Sequence, residues 1–412
     1  MGIIVQKFGG TSVGSIERIR SAAQRVIKET EQGNQVVVVV SAMGKTTDAL
    51  VSLAAQLSDN PSKREMDMLL STGEQVTIAL LSMALQAEGK QAVSLTGWQA
   101  GIETEEFPSN ARIVNIKTER IIGLLDKGNI VIVAGFQGMV KESGEITTLG
   151  RGGSDTTAVA LAAALGAARC DIYTDVTGVF TTDPRVVSSA RKIPSISYDE
   201  MLEMANLGAG VLHPRAVEFA KNYQVKLEVR SSQEEERGTL VEEEATMEQN
   251  LMVRGLAFEG NITKITVSNL PNGIETLSSL FSTLADNGIN VDIIIQNVVN
   301  ESTTNISFSI DSSVLAETQE VLAACQEELG FESIITEGGL AKVSIVGSGM
   351  ISNPGVAAKM FKGLSQKGIM IKMVSTSEIK VSTVVSQADM VNAVETLHDV
   401  FELDVRQPAH QL

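Results

Sequence analysis

Two glycine-containing turns carry the residues that could perform chemistry. The first, KFGGTS at residues 7–12, follows an apolar run at 3–5 and precedes an amphipathic pattern that begins at residue 15. A strand, a glycine turn and a helix start can hold an anion, because glycine lets the backbone approach closely and the free N–H groups point at the charge. Lys7 adds a positive charge. These residues alone fit a phosphate site and an ordinary βα turn equally well.

The second turn, GRGGSDTT at residues 150–157, combines three glycines, a guanidinium and several hydroxyl groups before an Ala-rich helical pattern. A helix N-terminus and Arg151 together suit a carboxylate or a phosphate. Asp155 is unusual in an anion site unless it orients a cation, either a lysine side chain or bound Mg²⁺. This combination favours a functional site over a bland loop.

A P-loop is excluded by spacing. The segment GKT at 44–46 resembles the end of a Walker A loop, but Val39 stands where the first glycine is required. Gly9 and Gly14 have the required separation, yet Ser15 follows where lysine is needed. The two glycine turns therefore need another explanation.

Strand-like and helix-like segments alternate over residues 1 to about 230. The run VVVVV at 36–40 is typical of a strand that is buried on both faces of a parallel sheet. Further strands are predicted at 92–95, 130–135 and 170–175, and helices at 66–85 and 154–165. This alternation predicts a doubly wound, mostly parallel sheet whose ligands bind at the carboxyl ends of the strands.

The composition limits the class of protein. A chain of 412 residues with two distant cysteines is expected to form several domains in a reducing cytoplasm, without a disulfide framework or a Cys/His metal cluster. The net charge of −17 disfavours nucleic acid and membrane surfaces as partners. We expect neither a signal peptide nor a membrane span. An anionic substrate would need local cations, such as Lys7 and Arg151.

The chain changes character after residue 230. An acidic stretch over about 231–250 predicts a domain linker, with an exposed helix start as the alternative. An 80-residue repeat follows, and each copy is predicted to have the order βαββαβ of a ferredoxin-type unit, with a closing helix before the final strand. The residues that recur are Phe281, Leu284, Gly288 and Ile289 as Phe361, Leu364, Gly368 and Ile369. We predict domains at 1–230, 261–338 and 339–412, with a linker at 231–260. The final strands of the two repeats are predicted at 331–336 and 402–406. The alternative to a true repeat is chance similarity between two small α+β domains.

Five segments together resemble the signatures of aspartate kinases, which belong to the amino-acid kinase superfamily. They are KFGGTS at 7–12, STGE at 71–74, GRGGSD at 150–155, YTDVTGV at 173–179 and STSEI at 375–379. The resemblance covers essentially the whole chain. It implies an amino-acid kinase sheet followed by two ferredoxin-like ACT domains. The implied reaction is phosphoryl transfer from MgATP to the side chain of L-aspartate, the first step of lysine, threonine and methionine biosynthesis.

The resemblance also implies roles for single residues. Lys7 and Asp155 are the catalytic candidates, Lys7 neutralising the transferring phosphoryl group and Asp155 holding Lys7. Mg²⁺ would arrive with ATP rather than at a protein metal site, and no general base is needed because a carboxylate is already ionised at pH 7. The ATP-binding candidates are Lys7, Phe8, Gly9, Gly10, Ser41, Ser154, Tyr173, Thr174, Val179, Phe180, Asp183, Pro184 and Arg185. The aspartate-binding candidates are Thr47, Glu74, Arg151, Gly152, Gly153 and Ser154, with Arg151 on the α-carboxylate and Glu74 on the ammonium.

Paired ACT domains imply feedback by an amino acid. The effector-binding candidates are Asn272, Gly273, Ile274, Glu275, Asp292 and Gln296 in the first repeat and Met370, Ile371, Ser377 and Glu378 in the second. L-Lysine is the expected effector, because the acidic groups suit a second ammonium, and L-threonine, alone or with lysine, is the alternative. We expect a homo-oligomer formed through the ACT domains, or assembly with a separately translated regulatory chain that starts at Met247.

Two other functions remain open from sequence. One is a kinase for glutamate or N-acetylglutamate. The other is a catalytically inactive amino-acid sensor, although the presence of Lys7, Arg151 and Asp155 argues against it. The segment His213-Pro214-Arg215 is predicted to be a structural turn before a helix, and His398 and His410 are given no chemical role.

Overall fold

Three β-sheets organise the part of the chain that the computed structural model describes, residues 2–243 and 252–405. The strands of the N-terminal domain are β1 (Ile3–Phe8), β2 (Gln35–Val40), β3 (Ala92–Leu95), β4 (Ile102–Thr104), β5 (Ile113–Ile116), β6 (Ile130–Ala134), β7 (Gln137–Val140), β8 (Ile146–Thr148), β9 (Arg169–Thr174), β10 (Ser195–Ser197), β11 (Leu227–Ser231) and β12 (Thr239–Glu242). Its helices are α1 (Ile16–Glu31), α2 (Thr46–Ala55), α3 (Lys63–Leu70), α4 (Thr72–Ala87), α5 (Glu119–Leu125), α6 (Gly153–Ala164), α7 (Tyr198–Asn206) and α8 (Pro214–Tyr223).

An eight-stranded sheet forms the centre of this domain, in the order β10-β12-β11-β9-β1-β2-β6-β3. The six strands from β11 to β3 are parallel, and β12 is antiparallel to β11. The five valines at 36–40 of β2 are all buried, as a strand covered on both faces requires. The predicted doubly wound, mostly parallel sheet is confirmed.

The predicted strands at 92–95, 130–135 and 170–175 correspond to β3, β6 and β9, and the Ala-rich helix to α6. The helix predicted over 66–85 is instead two helices, α3 and α4, that meet at Ser71. Contrary to expectation, Lys63–Ala87 is long and apolar enough to cross a membrane by length and composition alone. In the fold, α4 packs on α1 and the sheet with Leu81 and Leu85 fully buried, whereas Val76 and Met83 are exposed. The four-stranded sheet β5-β4-β7-β8 was not predicted, because its strands are too short to show a pattern.

The stretch predicted to be a linker contributes to the N-terminal domain. Within it, β12 pairs with both β10 and β11, and Thr239 is fully buried. The acidic segment before β12 lies against α1, where Arg25 donates to the carbonyls of Ser232 and Glu234. The linker prediction is therefore wrong for residues 232–242, because the cations that hold them come from a distant helix. Met247, the predicted second translation start, lies outside the described residues.

A six-stranded antiparallel sheet with helices forms the C-terminal region. Its strands are β13 (Gly255–Pro271), β14 (Ile294–Val298), β15 (Thr303–Asp311), β16 (Ser333–Val346), β17 (Met373–Thr376) and β18 (Lys380–Ser386), in the order β14-β15-β13-β16-β18-β17. Its helices are α9 (Thr276–Asp286), α10 (Leu315–Ala324), α11 (Gln326–Leu329), α12 (Val356–Gln366) and α13 (Met390–Val400).

The two repeats share the long central strands β13 and β16. Residues 262–268 of β13 pair with 333–340 of β16 in the first repeat, and residues 255–259 pair with 342–346 in the second. The second repeat thus takes its fourth strand from a segment that precedes the first repeat. This corrects the serial division at 260 and 338, because hydrophobic pattern predicts a strand but not its partner.

The repeat itself is confirmed by matching local structure. Leu284 and Leu364 are buried in α9 and α12, and Gly288 and Gly368 follow these helices with φ of +73° and +71°. The strand predicted at 331–336 is the first part of β16. The strand predicted at 402–406 is wrong over its described residues, 402–405, which form turns. The sheet position beside β16 is already filled by residues 255–259 of β13.

Candidate active site

The two glycine turns meet at the carboxyl ends of β1 and β2, beside the start of α6. They border one cavity of about 520 Å³. Its lining residues are Lys7, Gly9, Gly10, Ser41, Thr47, Leu70, Glu74, Ser109, Phe136, Thr148, Gly150, Arg151, Gly152, Gly153, Ser154 and Asp155. The structure therefore brings the predicted aspartate-binding residues together with Lys7, Gly9, Gly10, Ser41 and Asp155.

Lys7 and Asp155 form the ion pair at the centre of this cavity. Lys7 lies near the end of β1, Asp155 lies in the first turn of α6, and their Nζ and Oδ1 atoms are 2.5 Å apart. The two side chains are 12% and 13% exposed, so the pair is sheltered but reachable from the cavity. A lysine held in this way can present its remaining N–H groups to an anion.

The glycine turns approach other backbone segments too closely for larger residues. A Cβ atom on Gly10 would lie 2.8 Å from the Ala42 carbonyl oxygen, and Gly44 donates its N–H to the Gly10 carbonyl at 2.9 Å. Gly152 has φ of +67°, and a Cβ atom there would overlap the His213 ring. The Gly9 N–H points at the Tyr173 carbonyl at 3.4 Å, so this predicted phosphate donor is engaged within the fold.

Glu74 is a buried carboxylate, and only one of its two oxygens accepts a hydrogen bond from the described residues. It lies in the first turn of α4 and is 3% exposed, and its Oε1 accepts the Ala42 N–H at 3.0 Å. Its Oε2 has no hydrogen-bond partner among the described residues. Burial raises the pKa of Glu74 to about 7. Arg151 is exposed on the same cavity and has no ion-pair partner within residues 2–243 and 252–405.

Two residues that the sequence analysis missed hold the rim of this cavity. Asp67 is fully buried on α3, and its carboxylate accepts the backbone N–H groups of Ser109 and Thr148 at 2.8 and 2.9 Å. Arg215 donates to the Leu149 and Ala111 carbonyls, just before the second glycine turn. The single acid in the apolar part of α3 was a usable signal for Asp67. The predicted turn at 213–215 is confirmed as the start of α8. The hydrogen bonds from Arg215 to two distant carbonyls could not be predicted from the sequence.

A second cavity, of about 600 Å³, lies between the loop at residues 176–192 and the start of β13. The predicted ATP-binding residues that line it are Thr174, Val179, Phe180, Asp183, Pro184 and Arg185. The Arg185 side chain is 88% exposed and pairs with Asp183 at 2.6 Å. Thr182 also lines the cavity, and its buried hydroxyl has no hydrogen-bond partner among the described residues. The wall formed by residues 256–258 was not predicted, because these residues lie far along the chain.

Phe8 and Tyr173 are core residues rather than cavity residues. Their rings stack with centroids 4.6 Å apart, and both side chains are buried. The guanidinium groups of Arg25 and Arg230 lie over the Tyr173 ring at 5.5 and 5.7 Å. The prediction that Phe8 and Tyr173 contact ATP is therefore wrong for their side chains, because aromatic packing in the core holds both of them.

The effector candidates of the two repeats do not meet within one chain. The first group, at 272–296, lies along β14 and the turn before α9, and the second group, at 370–378, lies around β17. These strands form opposite edges of the six-stranded sheet. The predicted single pocket is thus wrong for one chain, because the shared strands β13 and β16 push the two repeats apart. Asp292 is already paired with the buried Lys342 at 2.5 Å, and Lys342 also pairs with Glu259 at 2.9 Å.

Comparison with known proteins agrees with this architecture. The family model "Amino acid kinase family" matches residues 2–231, and an "ACT domain" model matches residues 343–401. Aspartokinase 2 of Bacillus subtilis strain 168 is 70% identical over 403 residues, 98% of each chain. The crystal structure of E. coli aspartokinase III with aspartate and ADP, in its R-state, is 28% identical with a TM-score of 0.81 and covers 97% of this chain and 99% of that chain. The T-state structure of that protein with lysine and aspartate is 29% identical with a TM-score of 0.76, covering 96% and 99%. The chain therefore belongs to the aspartokinase family, with an amino acid kinase domain joined to an ACT regulatory region.

Proposed function

We propose that this chain transfers the γ-phosphoryl group of ATP to the side-chain carboxylate of L-aspartate, giving ADP and 4-phospho-L-aspartate. The observation that carries the proposal is the Lys7–Asp155 pair, which lies in one cavity with the buried carboxylate of Glu74 and the exposed guanidinium of Arg151. The cavity thus offers a cation to a phosphoryl group and one partner for each charged group of an amino acid. We also propose that the enzyme acts in the cytoplasm, in the biosynthesis of lysine, threonine and methionine.

The transfer needs positioning and charge neutralisation more than covalent help. An aspartate carboxylate oxygen would form the new bond to the γ-phosphorus, and the bond from that phosphorus to the bridging oxygen of ADP would break. Lys7 would stabilise the negative charge that spreads over the equatorial oxygens. Asp155 would keep the Lys7 ammonium at the strand end. The nucleophile is ionised at pH 7, so no residue has to remove a proton from it.

Recognition of aspartate would use Arg151 and the Oε2 atom of Glu74, which have no partner among the described residues. Arg151 can bind the α-carboxylate through two parallel N–H groups. Glu74 Oε2 would accept a hydrogen bond from the α-ammonium, and that positive charge would keep Glu74 ionised. Ser41 and Thr47 would fix the pose, and Gly153 and Ser154 would offer groups at the start of α6.

ATP would place its adenosine in the second cavity and its phosphates in the first. The nucleotide wall would include Thr174, Val179, Phe180, Asp183, Pro184 and Arg185, and the unpaired Thr182 hydroxyl would add a hydrogen bond. Within residues 2–243 and 252–405, no group of three His, Cys, Asp or Glu side chains could hold a metal ion. We propose that Mg²⁺ enters on the triphosphate oxygens, and that Asp155, which lines the cavity, would be the carboxylate that faces it.

Feedback inhibition would require two chains. The two groups of effector candidates lie on opposite sheet edges, so a site built from both can form only when the edge of one chain meets that of another. Strand β14 is exposed along its whole length and includes Ile294, Ile295 and Val298. We propose a homo-oligomer that pairs such edges and binds L-lysine, with L-threonine as the alternative. A separate regulatory chain translated from Met247 would present the same edges.

The direct test is an assay that traps the acyl phosphate with hydroxylamine, which releases phosphate and leaves a hydroxamate. With MgATP, we expect hydroxamate from L-aspartate at a rate at least a hundredfold above that from L-glutamate or N-acetyl-L-glutamate. Lys7→Met should abolish the signal. Faster reaction with glutamate would assign a different substrate, and no ATP turnover with any of the three would leave only an amino-acid sensor.

A further inference from the structure

The 176–192 loop folds back on itself beneath the second cavity. Phe180 lies opposite Lys192, and the Thr181 N–H donates to the Arg191 carbonyl at 2.9 Å. Successive side chains of an extended segment point to opposite sides. Accordingly, Phe180 and Thr182 line the cavity, whereas the Thr181 side chain is fully buried. Whatever holds Thr181 therefore fixes the two cavity-lining side chains on either side of it.

Thr181 is held from two elements of the ACT region. Its carbonyl accepts the Leu256 N–H of β13 at 2.6 Å. Its hydroxyl lies 3.0 Å from the Nε2 atom of His398, in the last turn of α13. A few residues further along the loop, Val187 is buried in the same hydrophobic cluster as Leu256 and Leu397. The loop is thus anchored in the regulatory region, although its other face lines the cavity of the catalytic domain.

We propose that His398 is a positioning residue for the nucleotide: by binding the Thr181 hydroxyl, it sets the position of Phe180 and Thr182 against the adenosine. This inference rests on the proposed function, in which the second cavity holds ATP. It makes the ACT region part of the structure that determines the affinity for ATP, through a residue that does not touch the nucleotide.

The chemistry of His398 fits this role better than simple filling of the core. The ring is fully buried, and its Nδ1 has no hydrogen-bond partner among the described residues. Burying Nδ1 without a partner costs free energy, and an apolar side chain of similar size would fill the same space without that cost. Burial lowers the pKa of His398, and the charged groups that face it are Asp404, Asp399 and Arg191. The neutral ring can bind Thr181 without placing a charge beneath the cavity.

The test compares His398→Leu with His398→Gln in the full chain. We expect His398→Leu to raise the KM for ATP about tenfold, the effect of one buried hydrogen bond, with the KM for aspartate and kcat changed less than twofold. Gln, whose amide group can bind the Thr181 hydroxyl, should restore most of the affinity for ATP. Glu395→Gln, on the exposed side of the same helix, is the matched control and should match the wild type.

Thr182→Val separates this inference from the assignment of the cavity. If Thr182→Val raises the KM for ATP and His398→Leu does not, the positioning role is wrong and the nucleotide cavity stands. If neither variant changes it, the cavity does not hold ATP and both proposals fail. A His398→Leu variant that loses kcat and both affinities together would show a structural role only. Should that variant not fold, Thr181→Val removes the same hydrogen bond from the other side, together with the acceptor of the Arg191 N–H at 3.1 Å, and should raise the KM for ATP at least tenfold.

Discussion

The Glu74→Gln substitution should stabilise the ligand-free kinase domain at pH 8 and weaken aspartate binding at the same time. Burial raises the pKa of Glu74 from 4.5 to about 7, which corresponds to about 3 kcal/mol at 1.36 kcal/mol per tenfold change. The folded state holds this proton more tightly than the unfolded chain does. The free energy of unfolding therefore falls as the pH rises from about 4.5 to about 7, and the full loss is present above pH 7. Glutamine keeps an acceptor for the Ala42 N–H and removes the charge.

The same substitution removes the proposed partner of the substrate ammonium. A hydrogen bond to a charged group contributes about 1.5–3 kcal/mol, so the KM for aspartate should rise about 10- to 100-fold at pH 8. In the wild type, protonation of Glu74 should raise this KM about tenfold for each pH unit below 7. The Glu74→Gln variant should lack that dependence, because glutamine does not titrate.

Urea unfolding followed by the fluorescence of Trp98 measures the stability of the kinase domain alone, because Trp98 is the only tryptophan in the chain. We expect the variant to be more stable at pH 8, and the difference to shrink to about 1 kcal/mol at pH 5, where Glu74 is protonated in the folded state. Glu88→Gln, an exposed position at the end of α4, is the matched control. Equal stability at pH 8 together with an unchanged KM for aspartate would refute the role given to Glu74.

Three further predictions concern charged residues. Lys7→Met should lower kcat at least a thousandfold, as measured by ADP release, because the lost charge acts mainly on the transition state, and should also lower the unfolding temperature in calorimetry, because the mostly buried Asp155 loses its partner. Asp67→Asn should lower the free energy of unfolding by about 1–3 kcal/mol and raise the KM for aspartate, because a neutral amide oxygen accepts the two rim N–H groups less strongly than a carboxylate and the amide NH₂ group replaces the oxygen that accepts the Thr148 hydroxyl; an unchanged urea midpoint would contradict this. Lys342→Met should lower the dissociation constant of L-lysine, the proposed effector, about tenfold in calorimetry, because Asp292 loses its internal counter-ion, and should weaken inhibition because Lys342 also holds Glu259; a higher or unchanged dissociation constant would contradict it.

The sequence was most informative where local pattern and chemistry coincide. A run of five valines can hardly be anything but a strand covered on both faces, and two glycine turns with Lys7 and Asp155 were enough to indicate one divided site. These inferences needed only neighbouring residues and the rule that parallel strands end at one edge. The structure then placed Lys7 and Asp155 2.5 Å apart.

The wrong predictions share one physical cause: each concerns a residue or segment that is held by residues distant in the chain. Residues 232–242 are acidic and polar, yet Arg25 of α1 holds them and β12 completes the sheet. Tyr173 belongs to a segment with a functional signature, but stacking on Phe8 takes its ring into the core. His398 was given no role, because nothing near it in sequence shows that Thr181 lies within hydrogen-bond distance.

Strand β13 explains how the regulatory region could act on catalysis without touching the transferred phosphoryl group. Residues 256–258, near its start, form a wall of the second cavity, which is the proposed nucleotide site, and its last residue, Pro271, precedes the turn of effector candidates. Between them, Lys342 joins Glu259 of this strand to Asp292. An effector ammonium that pairs with Asp292 would displace Lys342 from that carboxylate. Lys342 would then pair with Glu259 alone, and Glu259 lies one residue from the cavity wall. A coupling free energy of about 1–3 kcal/mol would change the affinity for ATP about 5- to 150-fold, and by linkage ATP would weaken the effector by the same factor.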